Sequence, residues 1–215
     1  MIRHEEPVLR KLETFCSGED VLEIGCGDGS RLPDVVRTSS SWLGIDPDSD
    51  VVRVANETNE SPHAEYEVGH AEDLRFGNDR FDVVLFTLSL HHIEIADMAN
   101  AIDEAVRVVR PTGCVLFLEP LPVGTFYDAE MRFGCCDGDE RRELAYAFYS
   151  MLSSQKLHET EEFVAPVCFE YDSIEDFVRH VPTQEGTHGQ LEEFLSARGF
   201  KLDERWRLNV FSVSD

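Results

Sequence analysis

Apolar positions along this chain switch repeatedly between short unbroken runs and a helical period. Val21-Leu22-Glu23-Ile24 is an apolar run that ends in Gly25-Cys26-Gly27-Asp28-Gly29, and so predicts a strand closing on a glycine turn. A helix is expected from about Ser30 to Arg37, and a second strand at Trp42–Ile45. Pro47, Asp48 and Asp50 then open a helix that carries Val51, Val54 and Ala55. A third strand is expected near Ala64–Val68. Phe81-Asp82-Val83-Val84-Leu85-Phe86 has the near-continuous apolarity of a central strand covered on both faces. Asp97 is placed to cap a helix with Ala99, Ile102, Val106 and Val109 on its apolar face, stopped by Pro111 and Gly113. Cys114–Leu118 predicts a fifth strand, and upstream Val8, Leu12 and Phe15 mark a short amphipathic helix over residues 7–16.

This alternation breaks after Glu119-Pro120. Helical stretches are expected around 126–133 and 143–152, followed by a turn-rich segment. A helix over 174–181 presents Ile174, Phe177, Val178 and Val181, with Ser173 and Asp176 as a capping box. Leu191, Phe194 and Leu195 mark a last helix ending at Gly199. Phe200–Leu208 and Asn209–Val213 are read as two strands, joined by a link too short for a crossover, so one must run antiparallel. The expected fold is therefore α/β: a seven-stranded, mostly parallel sheet with an antiparallel final strand, helices on both faces and a helical insertion before the last two strands. One domain over 1–215 is expected. It divides into an N-terminal helix (1–19), a ligand-binding half (20–119), an insertion (120–187) and a closing helix with strands (188–215).

Charge narrows the partners. The 215 residues carry 43 acidic against 19 basic side chains, a net −24, with lysine only at positions 11, 156 and 201. Such a surface repels nucleic-acid phosphate and acidic membranes, so neither is expected as a partner. The acids are spread rather than clustered, which fits adaptation to high salt better than a dedicated cationic partner. No run has the apolar length of a membrane span and the first residues lack a signal-peptide core, so a cytoplasmic protein is expected. Six scattered cysteines suit reduced thiols, and Cys135-Cys136 with Cys168 lack zinc-ligand spacing, so no metal is expected.

The glycine turn carries the chemistry. Its glycines let backbone approach a ligand, and Asp46, closing the second strand, can accept hydrogen bonds from ribose hydroxyls. The spacing Gly25, Gly27, Gly29 is not the dinucleotide fingerprint, and Asp28 would face a pyrophosphate unfavourably. A nucleoside without phosphate and with a nearby ammonium suits the turn better, and S-adenosylmethionine has both properties. An ordinary strand-to-helix turn is the alternative for the loop taken alone.

Several motifs in order make the chain similar to class I S-adenosylmethionine-dependent methyltransferases of the small-molecule type, related to ubiquinone and phosphoethanolamine methyltransferases. They are Val21–Gly29, Gly44-Ile45-Asp46, Ala71-Glu72-Asp73-Leu74-Arg75-Phe76, Phe81-Asp82-Val83-Val84, Leu90-His91-His92-Ile93 and Arg107-Val108-Val109-Arg110-Pro111-Thr112-Gly113. The resemblance spans 20–119 and is weak over 120–187. It implies a Rossmann-like sheet and a site in which Gly25 and Gly27 meet the methionine half of the cofactor, with Glu23 and Asp28 flanking the turn and Asp28 near the amino group. It further implies that Asp46 holds the ribose, that Pro47 lies against adenine, and that Phe86 and Thr87 line the methyl end. The family usually has an acid where this chain has His70; Ala71 can still offer its N–H to the adenine, and Glu72 can substitute for the acid. S-adenosylhomocysteine would be the product.

Methyl transfer needs alignment and exclusion of water, with a general base if the acceptor is a hydroxyl. His92 sits where related enzymes carry a pocket histidine, and His91 is its neighbour; satisfying backbone groups at a turn is the other role open to both. Tyr127, Met131, Tyr146 and Tyr149 can form a lid or, as helical spacing favours, part of the core. Arg3 and His4 reach the cofactor carboxylate if the N-terminus folds over the site. The expected activity is methyl transfer to a small-molecule acceptor at oxygen, nitrogen or carbon, with the oligomeric state open. A catalytically silent cofactor-binding partner protein and, less favoured, an NAD-dependent oxidoreductase are the alternatives.

Overall fold

The computed structural model describes residues 1–136, 138–184 and 186–213. Its strands are β1 (Ile2–His4), β2 (Asp20–Ile24), β3 (Ser41–Asp46), β4 (Ala64–Val68), β5 (Phe81–Thr87), β6 (Val109–Leu121), β7 (Leu157–Glu170) and β8 (Lys201–Val213). The helices are α1 (Glu6–Cys16), α2 (Pro33–Thr38), α3 (Ser49–Thr58), α4 (Met98–Val108), α5 (Thr125–Phe133), α6 (Arg141–Ser153), α7 (Ile174–His180) and α8 (His188–Ser196). A one-turn 3₁₀ segment, Leu90–His92, follows β5.

All eight strands form one sheet in the order β1-β7-β8-β6-β5-β2-β3-β4. The chain steps outward from β2 through β3 to β4 in parallel, then returns to the other side of β2 with β5 and β6, also parallel. The strand order therefore reverses between β2 and β5, and a crevice opens beyond their carboxyl ends, where ligands bind in such sheets. β8 runs antiparallel to both β6 and β7, and β1 antiparallel to β7.

Two apolar clusters lie on opposite faces of the sheet. Val83 and Leu85 of β5 join the side chains of α1, α2, α3, α5, α7 and α8, whereas Val84 and Phe86 join those of α4 and α6. That double burial is why the β5 run reads as continuously apolar rather than alternating.

Among the described residues there are eight strands where seven were expected, and the closing part of the sheet is built differently. Two strands were not expected, the three-residue edge strand β1 and the long β7, while the two expected closing strands are one. The 157–170 stretch expected to be turn-rich is the fourteen-residue strand β7. Its first half carries exposed acids and only Ala165, Val167 and Phe169 of its second half are buried hydrophobics, so the alternation is short. Phe200–Leu208 and Asn209–Val213 are one strand, β8, beginning at Lys201. Asn209, read as a break, is fully buried and donates from Nδ2 to the Glu159 and Glu162 carboxylates on β7 at 2.5 and 3.4 Å. The amide N–H side of Asn209 is thereby satisfied inside the strand, while its Oδ1 is buried without a hydrogen-bond partner. The final strand is antiparallel as expected, but because it inserts between β6 and β7.

Smaller corrections concern helix ends. Asp97 stands at the N-terminus of α4 without making a side-chain cap, and the buried face is Met98, Ala101, Ile102, Ala105 and Val108, with Ala99 exposed. Val109, Pro111 and Gly113 already belong to β6. Ser173 accepts from the Asp176 N–H, but Asp176 reaches back to the N–H of Asp172 rather than closing a box on Ser173. Met131, Tyr146 and Tyr149 are exposed and Tyr127 is half-buried, so these residues are not core; Phe126, Phe133, Ala147 and Met151 fill the buried sides of α5 and α6. Among the described residues no helix is long and apolar enough to cross a membrane.

Candidate active site

The glycine turn leaves β2 in left-handed backbone, with φ of 76° at Gly25 and 54° at Gly27. Its course is set by hydrogen bonds from the Gly25 and Cys26 N–H groups to the Ile45 carbonyl, at 2.9 and 3.0 Å, and from the Gly27 N–H to Asp46 Oδ2 at 2.9 Å. The other carboxylate oxygen of Asp46 accepts the Asp48 N–H at 3.0 Å. Backbone donors thus hold Asp46 at the carboxyl end of β3, in the crevice at the strand-order reversal. A Cβ on Gly25 would lie 2.2 Å from the Cβ of Ser89, whose hydroxyl donates to the Ile24 carbonyl at 2.6 Å. A Cβ on Gly27 would meet nothing within 4 Å. One glycine serves close packing of two loops; the other leaves room for a ligand.

A first cavity of about 430 Å³ runs from Gly25 and Gly27 past Asp46 and Pro47 to His70, Ala71 and Glu72, with Ile93, Glu94 and Asp97 on the opposite wall. The cavity thus sets one carboxylate between a glycine turn and the apolar side chains of Ile24, Ile45, Pro47, Ala71 and Ile93. The segment bearing Ala71 is tied down by Arg107 on α4. Its guanidinium donates to the carbonyls of Leu74 and Phe76 at 2.8 and 2.7 Å and pairs with Glu104 at 2.6 Å. Glu104 in turn accepts the Leu74 N–H.

A second cavity of about 400 Å³ lies beside the first. The two share Gly25, Gly27, Leu88 and His92 as lining residues. Leu88 holds φ of 52°, unusual for a non-glycine residue, and its N–H is anchored to the Leu118 carbonyl at 2.8 Å. Aromatic rings of Phe126, Phe169, Tyr171 and Trp206 wall the second cavity, together with Asp28, Arg31, Thr87, His91, Glu140 and Glu204. Arg3 also lines it and donates to the Ser30 carbonyl at 2.9 Å, because β1 pairs with β7 and carries the N-terminal segment over the glycine turn.

The electrostatics differ across the site. Burial opposes ionisation of Asp28, but hydrogen bonds from Ser30 and the nearby Arg3 and Arg31 hold its carboxyl below the usual range. Burial pushes the Glu204 carboxyl up to about 7, against a 2.8 Å hydrogen bond from Trp206 Nε1. His91 is buried, with Nδ1 hydrogen-bonded to Glu119, whose other oxygen accepts the Leu90 N–H at 3.0 Å. His92 is half-exposed, and its Nδ1 lies 3.3 Å from Glu140 Oε1.

The sequence candidates divide between the two cavities. Asp46, Pro47, His70, Ala71 and Glu72 line the first; Asp28, Thr87 and His91 line the second; Gly25, Gly27 and His92 line both. Two candidates lie in neither. Glu23 is sealed beneath the turn with its carboxylate on Trp42 Nε1 at 3.0 Å, where burial pushes it up to about 7. Phe86 points into the core, stacked on Phe117 at 4.9 Å between ring centres, because its place in β5 faces α4 rather than the crevice. Leu88, Ser89, Glu140, Tyr171, Glu204 and Trp206 were not singled out from sequence; they are scattered over 119 positions without a shared motif, and only the positive φ of Leu88 marks the loop.

Residues 21–113 match a family model described as a methyltransferase domain. Among curated relatives, the chain is 30% identical over 118 residues to a probable S-adenosylmethionine-dependent methyltransferase of Mycolicibacterium smegmatis, covering 55% of this chain and 44% of that one. It is 33% identical over 107 residues to a fatty-acid O-methyltransferase of the same organism, covering 49% and 38%. The chain thus spans less than half the length of these relatives. Among solved structures, the YcgJ protein of Bacillus subtilis superposes with a TM-score of 0.64 at 17% identity over 98% of this chain and 99% of that one. Through its crevice-forming half, which holds the glycine turn and the carboxylate closing β3, the chain is thus similar to methyltransferase domains.

Proposed function

We propose that this chain transfers a methyl group from S-adenosylmethionine to a small-molecule acceptor held in the second cavity. The observation that carries the reading is Asp46, fixed by two backbone N–H groups between the glycine turn and the Pro47–Ala71 wall. In that position its carboxylate would take the ribose hydroxyls, the turn would face the methionine half, and Pro47, Ala71 and Ile93 would flank the adenine. When bound, S-adenosylmethionine supplies an electrophilic methyl carbon activated by its sulfonium. The chain's own part is then alignment and exclusion of water, which can account for about 7–11 kcal/mol of a barrier. His92 is the ionisable residue shared by both cavities and is assigned to contact the acceptor beside the methyl end. Segment 120–187, which supplies Phe126, Glu140, Phe169 and Tyr171 to the second cavity, is assigned to acceptor choice.

The names of the relatives support the reading, and the acidic surface favours a small acceptor over nucleic acid. Calorimetry with S-adenosylmethionine, S-adenosylhomocysteine and NAD tests the cofactor: both sulfur ligands should bind, NAD should not, and Asp46→Ala should weaken binding ten-fold or more. Binding of NAD alone would overturn the assignment. Transfer of labelled methyl to members of a broad metabolite panel tests the activity, and binding without turnover across the panel would make the chain a silent partner protein instead.

A further inference from the structure

We propose that His91, His92 and Glu140 form a site for a divalent first-row transition ion, of which zinc is the type, on the wall of the second cavity. One ligand atom from each residue lies within 4.8 Å of the other two. Glu140 Oε1 is 3.3 Å from His92 Nδ1, and Glu140 Oε2 is 3.9 Å from His91 Nε2. Tetrahedral ligands of one ion at roughly 2.1 Å lie about 3.4 Å apart, so the cluster, now within 4.8 Å, must tighten by up to about 1.4 Å on binding. The half-exposed His92 and partly exposed Glu140 side chains have room to do so.

A second, independent feature is the support behind His91. Its Nδ1 is engaged by the buried Glu119 carboxylate, which also accepts the Leu90 N–H. A histidine whose far nitrogen is held by a carboxylate presents Nε2 as the coordinating atom in a fixed orientation, the arrangement that backs metal-bound imidazoles. Two imidazoles and one carboxylate form a borderline donor set that suits zinc, iron or cobalt. Calcium and magnesium prefer oxygen throughout. The ligands come from distant parts of the chain: the 3₁₀ turn after β5 and the residue preceding α6. A bound ion would tie the crevice-forming half to the segment that follows it.

In one respect the inference rests on the methyltransferase reading. All three ligands line the second cavity, so the ion would lie within reach of the proposed acceptor. An acceptor hydroxyl would complete the shell next to His92, giving His91 and His92 the part of metal ligands that hold the acceptor.

The test uses tag-free protein stripped with EDTA and desalted, then titrated with Co²⁺ in excess Mg²⁺ that occupies the surface carboxylates. One Co²⁺ per chain should bind with visible bands characteristic of low-coordinate nitrogen and oxygen ligation, and one equivalent of Zn²⁺ should displace it. His92→Ala and Glu140→Gln, checked for wild-type circular dichroism, should each weaken Co²⁺ binding at least thirty-fold, whereas the remote His158→Ala should not. A spectrum of hydrated Co²⁺ alone, or bands unchanged in both variants, would overturn the proposal. Calorimetry with S-adenosylhomocysteine on the same stripped protein separates the two readings: binding there with no cobalt site defeats the metal alone, and a cobalt site without that binding defeats the methyltransferase reading alone.

Discussion

Two glycines two residues apart should fail in opposite ways when given a methyl group. Gly25→Ala places a Cβ 2.2 Å from the Cβ of Ser89 and asks alanine to hold φ of 76°. Left-handed backbone costs about 1–2 kcal/mol, and forcing an extra methyl into a packed contact about 1–3 more. Restricting the unfolded chain returns roughly 0.5 kcal/mol, which leaves a net loss of about 2–4 kcal/mol. With a urea slope near 2–3 kcal/mol/M, the unfolding midpoint should fall by roughly 1 M. Gly27→Ala carries the φ strain but no clash, so its stability loss should stay near 1 kcal/mol. Its new methyl stands in the open space beside Asp46, so its main effect should be weaker binding of S-adenosylhomocysteine. Ser89→Gly in the Gly25→Ala background removes the colliding atom, and a double-mutant cycle should then show a coupling of about 1–3 kcal/mol. Additive urea midpoints across that cycle, or equal destabilisation by both alanines, would refute the packing argument.

Other expectations follow from the same geometry. Glu23 has its pKa raised from an ordinary 4.5 to about 7 by burial, so its contribution to stability is full below about pH 4.5 and is lost as pH rises through 7. Glu23→Gln should therefore gain on the wild type above pH 7, on the order of 3 kcal/mol, with the gap closing toward pH 4.5; parallel urea stability profiles would count against it. Arg107→Leu removes the donors that hold the Leu74 and Phe76 carbonyls, and should cost about 1.5–3 kcal/mol in thermal or urea unfolding while weakening cofactor binding several-fold. The net charge of −24 predicts a melting temperature that climbs steeply from low salt into molar KCl, where counterions screen self-repulsion. A flat dependence would remove salt adaptation as the reason for the acidic coat.

The sequence by itself determined the half of the molecule whose signals are local. Glycines needing positive φ, an acid nineteen residues past Gly27 at a strand end, and apolar runs bounded by turns each act within a few residues, so β2 through β6 and the first cavity were legible in one dimension. Phe86 and Glu23 show the limit of that legibility. Both sit in the right motif, but a strand sends alternate side chains to opposite faces, and which face meets the crevice depends on the helices packed against it. Tertiary structure alone decided the closing strands and the second cavity. β7 and β8 are defined by partners 31 to 56 positions apart, and Asn209 is held in the core by Glu159 and Glu162 across that pairing. Glu140 stands 48 positions beyond His92 with no motif linking them, and their meeting is a consequence of how α6 packs over the turn after β5. Long-range contact leaves no periodic trace in a sequence, because burial and distance are properties of the packed chain and not of its neighbours along it.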